Sequence, residues 1–177
     1  MPTAEHTCSH PNFEFSCFRQ ILDQIQKQSE PQIDSFVTTK FFSRIDLPLI
    51  VDEFSKGEPG SIRLRVAAKA LKQMASTGSE QLLQHIVRDY GEQICGKASS
   101  LLRDLADLDL ASDLMWTLCN LSVVKVEPNP VISREFLVLT SSLVRAEFLC
   151  THLDMVDSAI AFAANYAIED PAQFLLA

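Results

Sequence analysis

The stretch DLASDLMWTLCNLS, residues 109–122, decides how this chain is expected to fold and where it is expected to bind. In an α-helix each residue turns by about 100°. The apolar side chains then fall in one arc, which holds Leu110, Ala111, Leu114, Met115, Leu118, Cys119 and Leu121. The opposite arc holds Ser112, Asp113, Trp116, Thr117 and Asn120. The stretch predicts an amphipathic helix with Trp116, the only tryptophan, on its polar face. The alternative is that Trp116 packs against a neighbouring helical unit.

The rest of the chain extends this helical pattern in both directions. It has 177 residues, of which 47% are hydrophobic and only five are glycine, and alternation typical of strands is rare. Prolines and polar clusters separate predicted helices near residues 12–28, 32–40, 45–56, 60–76, 79–89, 91–105, 107–123, 131–147 and 153–168. Gly91 is predicted to form the turn between two of these helices.

A repeat emerges when the long helices are compared. Lys69, Trp116 and Phe162 lie at corresponding places, 47 and then 46 residues apart. Periods of roughly 40–47 residues built from two or three helices are typical of HEAT and armadillo arrays, which stack into a superhelix with a concave surface. The predicted fold class is therefore all-α, an armadillo-type right-handed helical solenoid of roughly three to four repeats. It would occupy residues 12–177, after a disordered N-terminal tail at residues 1–11.

Charge and composition narrow the classes of function. A net charge of −8 disfavours nucleic-acid binding, because phosphate contacts need clustered Lys and Arg. No apolar run approaches the ~18 residues of a membrane span, and the five cysteines show no C-x-x-C spacing. We expect reduced thiols and a cytoplasmic and nuclear location. The sequence contains no recognisable catalytic centre, so neither an enzyme, a metal site nor a cofactor is expected.

Trp116 and Asn120 suggest what the polar face binds. An exposed indole stacks on aliphatic stems and cations. An asparagine amide donates and accepts hydrogen bonds at once, and can therefore hold the backbone of an extended peptide. The pair predicts a peptide-binding surface.

At this point the motif MWTLCN, residues 115–120, resembles the third helix of an armadillo repeat in the importin-alpha family. Trp116 and Asn120 match the family's Trp-x-x-x-Asn pattern. AAKALKQMASTGSEQ, residues 67–81, resembles another of its repeats, with Lys69 and Gln73 at the Trp and Asn positions. SAIAFAANYAIEDP, residues 158–171, resembles a later one, with Phe162 and Tyr166 at those positions. A shift of one residue places Ala161 and Asn165 there instead.

The resemblance implies a nuclear import adaptor that binds Lys/Arg-rich nuclear localisation signal peptides of cargo proteins. The implied peptide-binding residues are Trp116, Asn120, Asp113, Ser112, Phe162, Asn165 and Tyr166. The alternative is a helical-repeat scaffold for another protein that has lost signal-peptide binding, because Arg65, Lys69 and Lys72 would repel a basic peptide.

The two ends of the chain bear on two further partners, importin-beta and a second copy of the chain. The family recruits importin-beta through a Lys/Arg-rich N-terminal segment, but this chain has no Lys or Arg before Arg19, so importin-beta is not predicted as a partner. The final FLLA lacks the polar face of a capped array, and self-association through this end is expected. A fragment and a shortened paralogue are the alternatives.

Overall fold

The computed structural model describes residues 16–25, 37, 40–144 and 151–175, and of residue 173 only the backbone. All regular secondary structure within these ranges is helical, which confirms the all-α class. The helices are α1 (Cys17–Ile25), α2 (Leu47–Lys56), α3 (Ile62–Thr77), α4 (Glu80–Asp104), α5 (Leu108–Ser122), α6 (Arg134–Leu143), α7 (Leu153–Glu169) and α8 (Pro171–Phe174). The predicted tail at residues 1–11 and most of the predicted helix at 32–40 lie outside the described residues.

Serine and aspartate side chains start four of these helices. In each case the side-chain oxygen accepts a hydrogen bond from the backbone N–H three residues later. Such caps are typically worth about 1 kcal/mol each. The capping residues are Ser61 for α3, Ser79 for α4, Asp107 for α5 and Ser133 for α6.

Helix α4 contradicts the predicted turn at Gly91. It runs without a break through Gly91, where two helices were expected. A Cβ built on Gly91 would lie only 2.5 Å from Cγ of Pro130, in the segment that leads to α6. The glycine is therefore explained by close packing of that segment on α4, and the prediction of a turn was wrong.

The long helices form two rows. In the first row α5 packs against α3 on one side and α7 on the other. In the second row α4 contacts α2 and α6 in the same way. Each first-row helix also packs against a second-row helix next to it in the chain, which gives the pairs α2–α3, α4–α5 and α6–α7.

One apolar core joins the two rows. It extends from Phe18 on α1, through Leu64 and Leu118 in the first row, to Phe162 on α7. At the α1 end, the buried Asp46 carboxylate accepts hydrogen bonds from Ser16 Oγ at 2.8 Å and Phe18 N at 3.0 Å. Ser43 donates two more, through its backbone N–H and its hydroxyl. Asp46 thereby fixes the start of α1 against the turn that precedes α2.

Candidate functional site

Trp116 lies on the middle helix of the first row with 43% of its surface exposed. Its indole Nε1–H donates to Ser76 Oγ on α3 at 2.7 Å, and Ser76 in turn donates to the Lys72 carbonyl. The ring is therefore both partly exposed and fixed against the neighbouring helix. The exposed side of the ring fits the prediction that Trp116 lies on a binding surface. The side bound to Ser76 fits the alternative that Trp116 packs against a neighbouring helix.

Asn120 follows one turn later on the same helix and is half-buried. Its Nδ2 donates to the Trp116 carbonyl at 2.9 Å. One amide hydrogen is thus used within α5. The amide oxygen makes no hydrogen bond to any described residue, so it is the group of Asn120 that can accept from a ligand.

Lysines of α3 neutralise the carboxylate predicted to attract a basic peptide. Asp113 is only 8% exposed. Its two oxygens contact Lys72 Nζ at 2.7 Å and Lys69 Nζ at 3.5 Å. Asp113, which the resemblance places among the peptide-binding residues, is therefore nearly buried and already paired. The Lys72 ammonium lies 5.8 Å from the centre of the Trp116 ring, where a cation of a bound peptide would otherwise stack.

A cavity of about 250 Å³ continues this site toward the start of α7. Its lining comprises Arg65, Lys69, Lys72, Asp109, Leu110, Ser112, Asp113 and Asp154. Ser112 and Asp113 are the predicted site residues that line it. Arg65 Nε lies 3.0 Å from the carboxylate of Asp107, the residue that caps α5. All three cations at the cavity, Arg65, Lys69 and Lys72, are therefore already paired with a carboxylate. The sequence signal for these pairs is opposite charges 41 and 42 residues apart, within the period of roughly 40–47 residues predicted from the sequence.

Two of the residues predicted to bind a peptide are buried in the structure. Phe162 is 0% and Tyr166 3% exposed, so neither ring can contact a peptide on the first row. Phe162 instead meets Phe136 of α6 edge to face, with ring centres 6.3 Å apart. Their prediction as peptide contacts was wrong because α7 turns this side toward α6.

Asn165 is half-buried between α7 and α5. Its Nδ2 donates to Ser122 Oγ at 2.9 Å and approaches the Cys119 carbonyl at 3.4 Å. The residue therefore joins two helices of the row. Ala161, four residues earlier, is exposed. The shifted register of the resemblance, with Ala161 and Asn165, thus matches the exposure of Trp116 and Asn120 better than Phe162 and Tyr166 do.

Exposed large apolar side chains concentrate in the last helical unit. They are Val138, Val144, Leu153, Ile160, Ile168, Phe174 and Leu175. Self-association through this end stays a prediction.

Two kinds of site are not found among the described residues. No three His, Cys, Asp or Glu side chains in these ranges are grouped to hold a metal ion. Nor does any helix there have the length and apolar content needed to cross a membrane.

The Cys119 thiol, half-buried between α5 and α7, has a pKa raised above its usual value by loss of solvent, which disfavours the reactive thiolate.

Comparison with known proteins adds no relative to this description. No family model, curated protein or solved structure matches the chain. The inference of function therefore depends on the geometry of the first row and on the motif that contains Trp116 and Asn120.

Proposed function

We propose that this chain is an armadillo-like scaffold that binds an extended segment of a partner protein across α3, α5 and α7. In this proposal the three helices are the third helices of successive right-handed repeats. The observation that carries it is Trp116, a partly exposed indole held in position by Ser76 of the next helix. Large aromatic side chains that are rigid before binding are frequent anchors of protein interfaces, because little conformational freedom is lost when the partner arrives.

The contacts around Trp116 favour an apolar residue of the partner at this position. Lys72 already lies over the ring, and Asp113 is already neutralised by two lysines. A Lys or Arg of a peptide would have to displace Lys72 and would find the Asp113 carboxylate already paired. An aliphatic side chain can cover the exposed part of the indole, while Asn120 Oδ1 accepts a peptide N–H. This chemistry supports the scaffold that has lost signal-peptide binding.

Nuclear import adaptor activity is the second candidate. It is favoured by Trp116 and Asn120 at the spacing of the importin-alpha motif and by Asp109 and Asp154 at the adjoining cavity. In that case a signal-peptide lysine replaces Lys72 over the indole, and binding weakens with salt because it is electrostatic. Location in cytoplasm and nucleus belongs to this candidate.

Selection from a random peptide library tests the proposal without assuming a partner. Peptides selected by the wild-type protein should bind Trp116→Ala more weakly by about 1–3 kcal/mol, the range for an aromatic anchor. Ser76→Ala, which keeps the indole but removes its support, should weaken binding by less. Fluorescence of Trp116 reports binding directly, since it is the only tryptophan.

The composition of the selected peptides separates the two candidates. Enrichment of Leu, Ile or Val at one position supports the scaffold. Enrichment of Lys and Arg, with tighter binding by Lys72→Ala, supports the import adaptor. Peptides that bind wild type and Trp116→Ala equally would refute both, because neither would then use this surface.

A further inference from the structure

Two lysines of α3 share a single carboxylate beside Trp116. Lys72 Nζ donates a hydrogen bond to Asp113 Oδ1 at 2.7 Å, and Lys69 Nζ lies 3.5 Å from Asp113 Oδ2. The Lys69 ammonium makes no hydrogen bond to any described residue. Each ammonium group has three N–H donors, and Asp113 uses one donor of Lys72. The three side chains therefore carry one excess positive charge and several donors without an acceptor among the described residues.

The excess positive charge lies on the solvent side of this cluster. The side chains of Lys69 and Lys72 are 25% and 38% exposed, whereas the side chain of Asp113 is 12% exposed. A partner that approaches the first row therefore meets the two ammonium groups first, with the carboxylate beneath them. Because charges attract over several ångströms even at moderate salt, this arrangement favours an anionic group of the partner.

The spacing between the lysines and the indole matches that of an extended chain. Lys72 Nζ lies 5.8 Å from the centre of the Trp116 ring. In an extended segment, alternate side chains point to the same face and are about 6.6 Å apart along the chain. A segment whose aliphatic residue covers the indole can therefore place the side chain two residues away beside the ammonium groups of Lys72 and Lys69.

Asp109 and Asp154 limit how many acidic residues such a segment can carry. Both line the same cavity as the two lysines, and neither makes an ion pair with any described residue. Asp109 comes one turn before Asp113 on α5, so it lies about 6 Å nearer the start of that helix. A second acidic residue placed toward the helix starts would be repelled. The surface therefore suits one acidic residue and disfavours a run of them.

We propose that the segment bound across the first row carries one Asp or Glu, two residues from the aliphatic residue that covers Trp116. Its carboxylate accepts hydrogen bonds from Lys69 and Lys72. This inference rests on the proposed function, because it names the chemistry of the segment bound at that same surface. The charge is opposite to that of the Lys/Arg-rich signal peptide of the second candidate, and Lys69 is the residue that determines this specificity.

The peptide library provides the probe for this test. The tightest selected peptide with an aliphatic residue is synthesised with Glu, Gln or Lys at each position two residues from that aliphatic residue. In calorimetric titration of the wild-type protein, the Glu peptide should bind most tightly and the Lys peptide most weakly at one of these positions. The Glu and Gln peptides should differ about three- to fivefold, the upper range for a partly exposed charge pair. Lys69→Gln should reduce this difference to less than about twofold and leave the affinity for the Gln peptide unchanged.

Lys56→Gln is the matched control for Lys69→Gln. It also removes one lysine that is paired with a carboxylate, in this case Asp52 on α2, outside the first row. It should leave the affinities for all three peptides unchanged. If it weakens binding of the Glu peptide as much as Lys69→Gln does, the peptide senses only the total charge and the inference is wrong.

Two further outcomes separate this inference from the proposed function. If Trp116→Ala weakens binding but the wild-type protein binds the Glu and Gln peptides equally, the inference fails and the Trp116 surface stands. Tightest binding of the Lys peptide would overturn the inference in favour of the import adaptor. If Trp116→Ala has no effect, the proposed function itself fails. Thermal unfolding checks the fold of Lys69→Gln, in which Lys72 still pairs with Asp113, and the three peptides on the wild-type protein decide the matter if this variant does not fold.

Discussion

Helices α5 and α7 lie side by side in the first row, and each carries an aromatic residue one turn before a second large or polar side chain. On α5 these are Trp116 and Asn120, with the indole 43% exposed and bound to Ser76 of α3. On α7 they are Phe162 and Tyr166, both buried. Corresponding places on two neighbouring helices of the row thus have opposite roles, one at the surface and one in the core.

The difference follows from what each helix must pack against. Phe162 fills space beside Phe136 of α6, which is the last second-row helix described. Trp116 has no such space to fill, because the core side of α5 already carries Leu114, Met115 and Leu118. On the helices of this row, an aromatic residue is therefore a candidate for binding only when other side chains of its helix complete the core.

Truncation of the two rings should give the largest contrast. Phe162→Ala should lower the free energy of unfolding by about 3–5 kcal/mol, because it leaves a cavity in the core. Trp116→Ala should cost about 1 kcal/mol or less, since it loses one hydrogen bond to Ser76 and partial burial. Urea unfolding followed by circular dichroism measures both. Similar losses in the two variants would mean that Trp116 is also a core residue, and the contrast would disappear.

Local signals in the sequence were sufficient for the fold class and for several helix starts. The 3.6-residue pattern of α5 and the serines before α3 and α4 act within one turn, so they can be read without the fold. The unbroken α4 could not be predicted, because Gly91 owes its place to Pro130, which is distant in the chain.

The candidate site was less predictable, because its polar contacts cross between helices. Asp113 looked open on a helical projection, yet lysines 41 and 44 residues away in the chain pair with it. The side of α7 that faces the core was ambiguous for a different reason. Alanine, isoleucine and phenylalanine occur all around this helix, so its apolar arc has no sharp edge. The sequence alone therefore did not decide whether Phe162 or Ala161 corresponds to Trp116.

A second test of the difference between α5 and α7 adds an exposed aromatic residue to α7 instead of removing one. Ala161 is exposed four residues before Asn165, so Ala161→Trp recreates on α7 the spacing of Trp116 and Asn120. Stability should change by no more than about 0.5 kcal/mol, as for most surface substitutions. A peptide selected on the wild-type protein and lengthened toward α7 should bind about five- to tenfold more tightly, since a second anchor is joined to the first.

The matched control for this gain is Ala164→Trp. Ala164 is also exposed on α7, but it lacks an asparagine four residues later. Calorimetric titration of both variants with the original and the lengthened peptide gives the comparison. An equal gain from the two tryptophans would indicate nonspecific apolar contact, and no gain from either would show that the peptide does not extend to α7.

The smallest expected effect compares the two asparagines. Asn165 donates across the row to Ser122 at 2.9 Å, whereas Asn120 donates at 2.9 Å within its own helix to the Trp116 carbonyl. Replacing either by alanine gains a similar helix propensity, up to about 0.7 kcal/mol, so this term cancels in the difference. Asn165→Ala should therefore be less stable than Asn120→Ala by about 1 kcal/mol, the net value of an interhelical hydrogen bond. A double-mutant cycle of Asn165→Ala with Ser122→Ala, measured by urea unfolding, isolates that bond. A coupling energy near zero would mean that Asn165 does not join α7 to α5, and the shifted register that pairs it with Asn120 would lose its structural support.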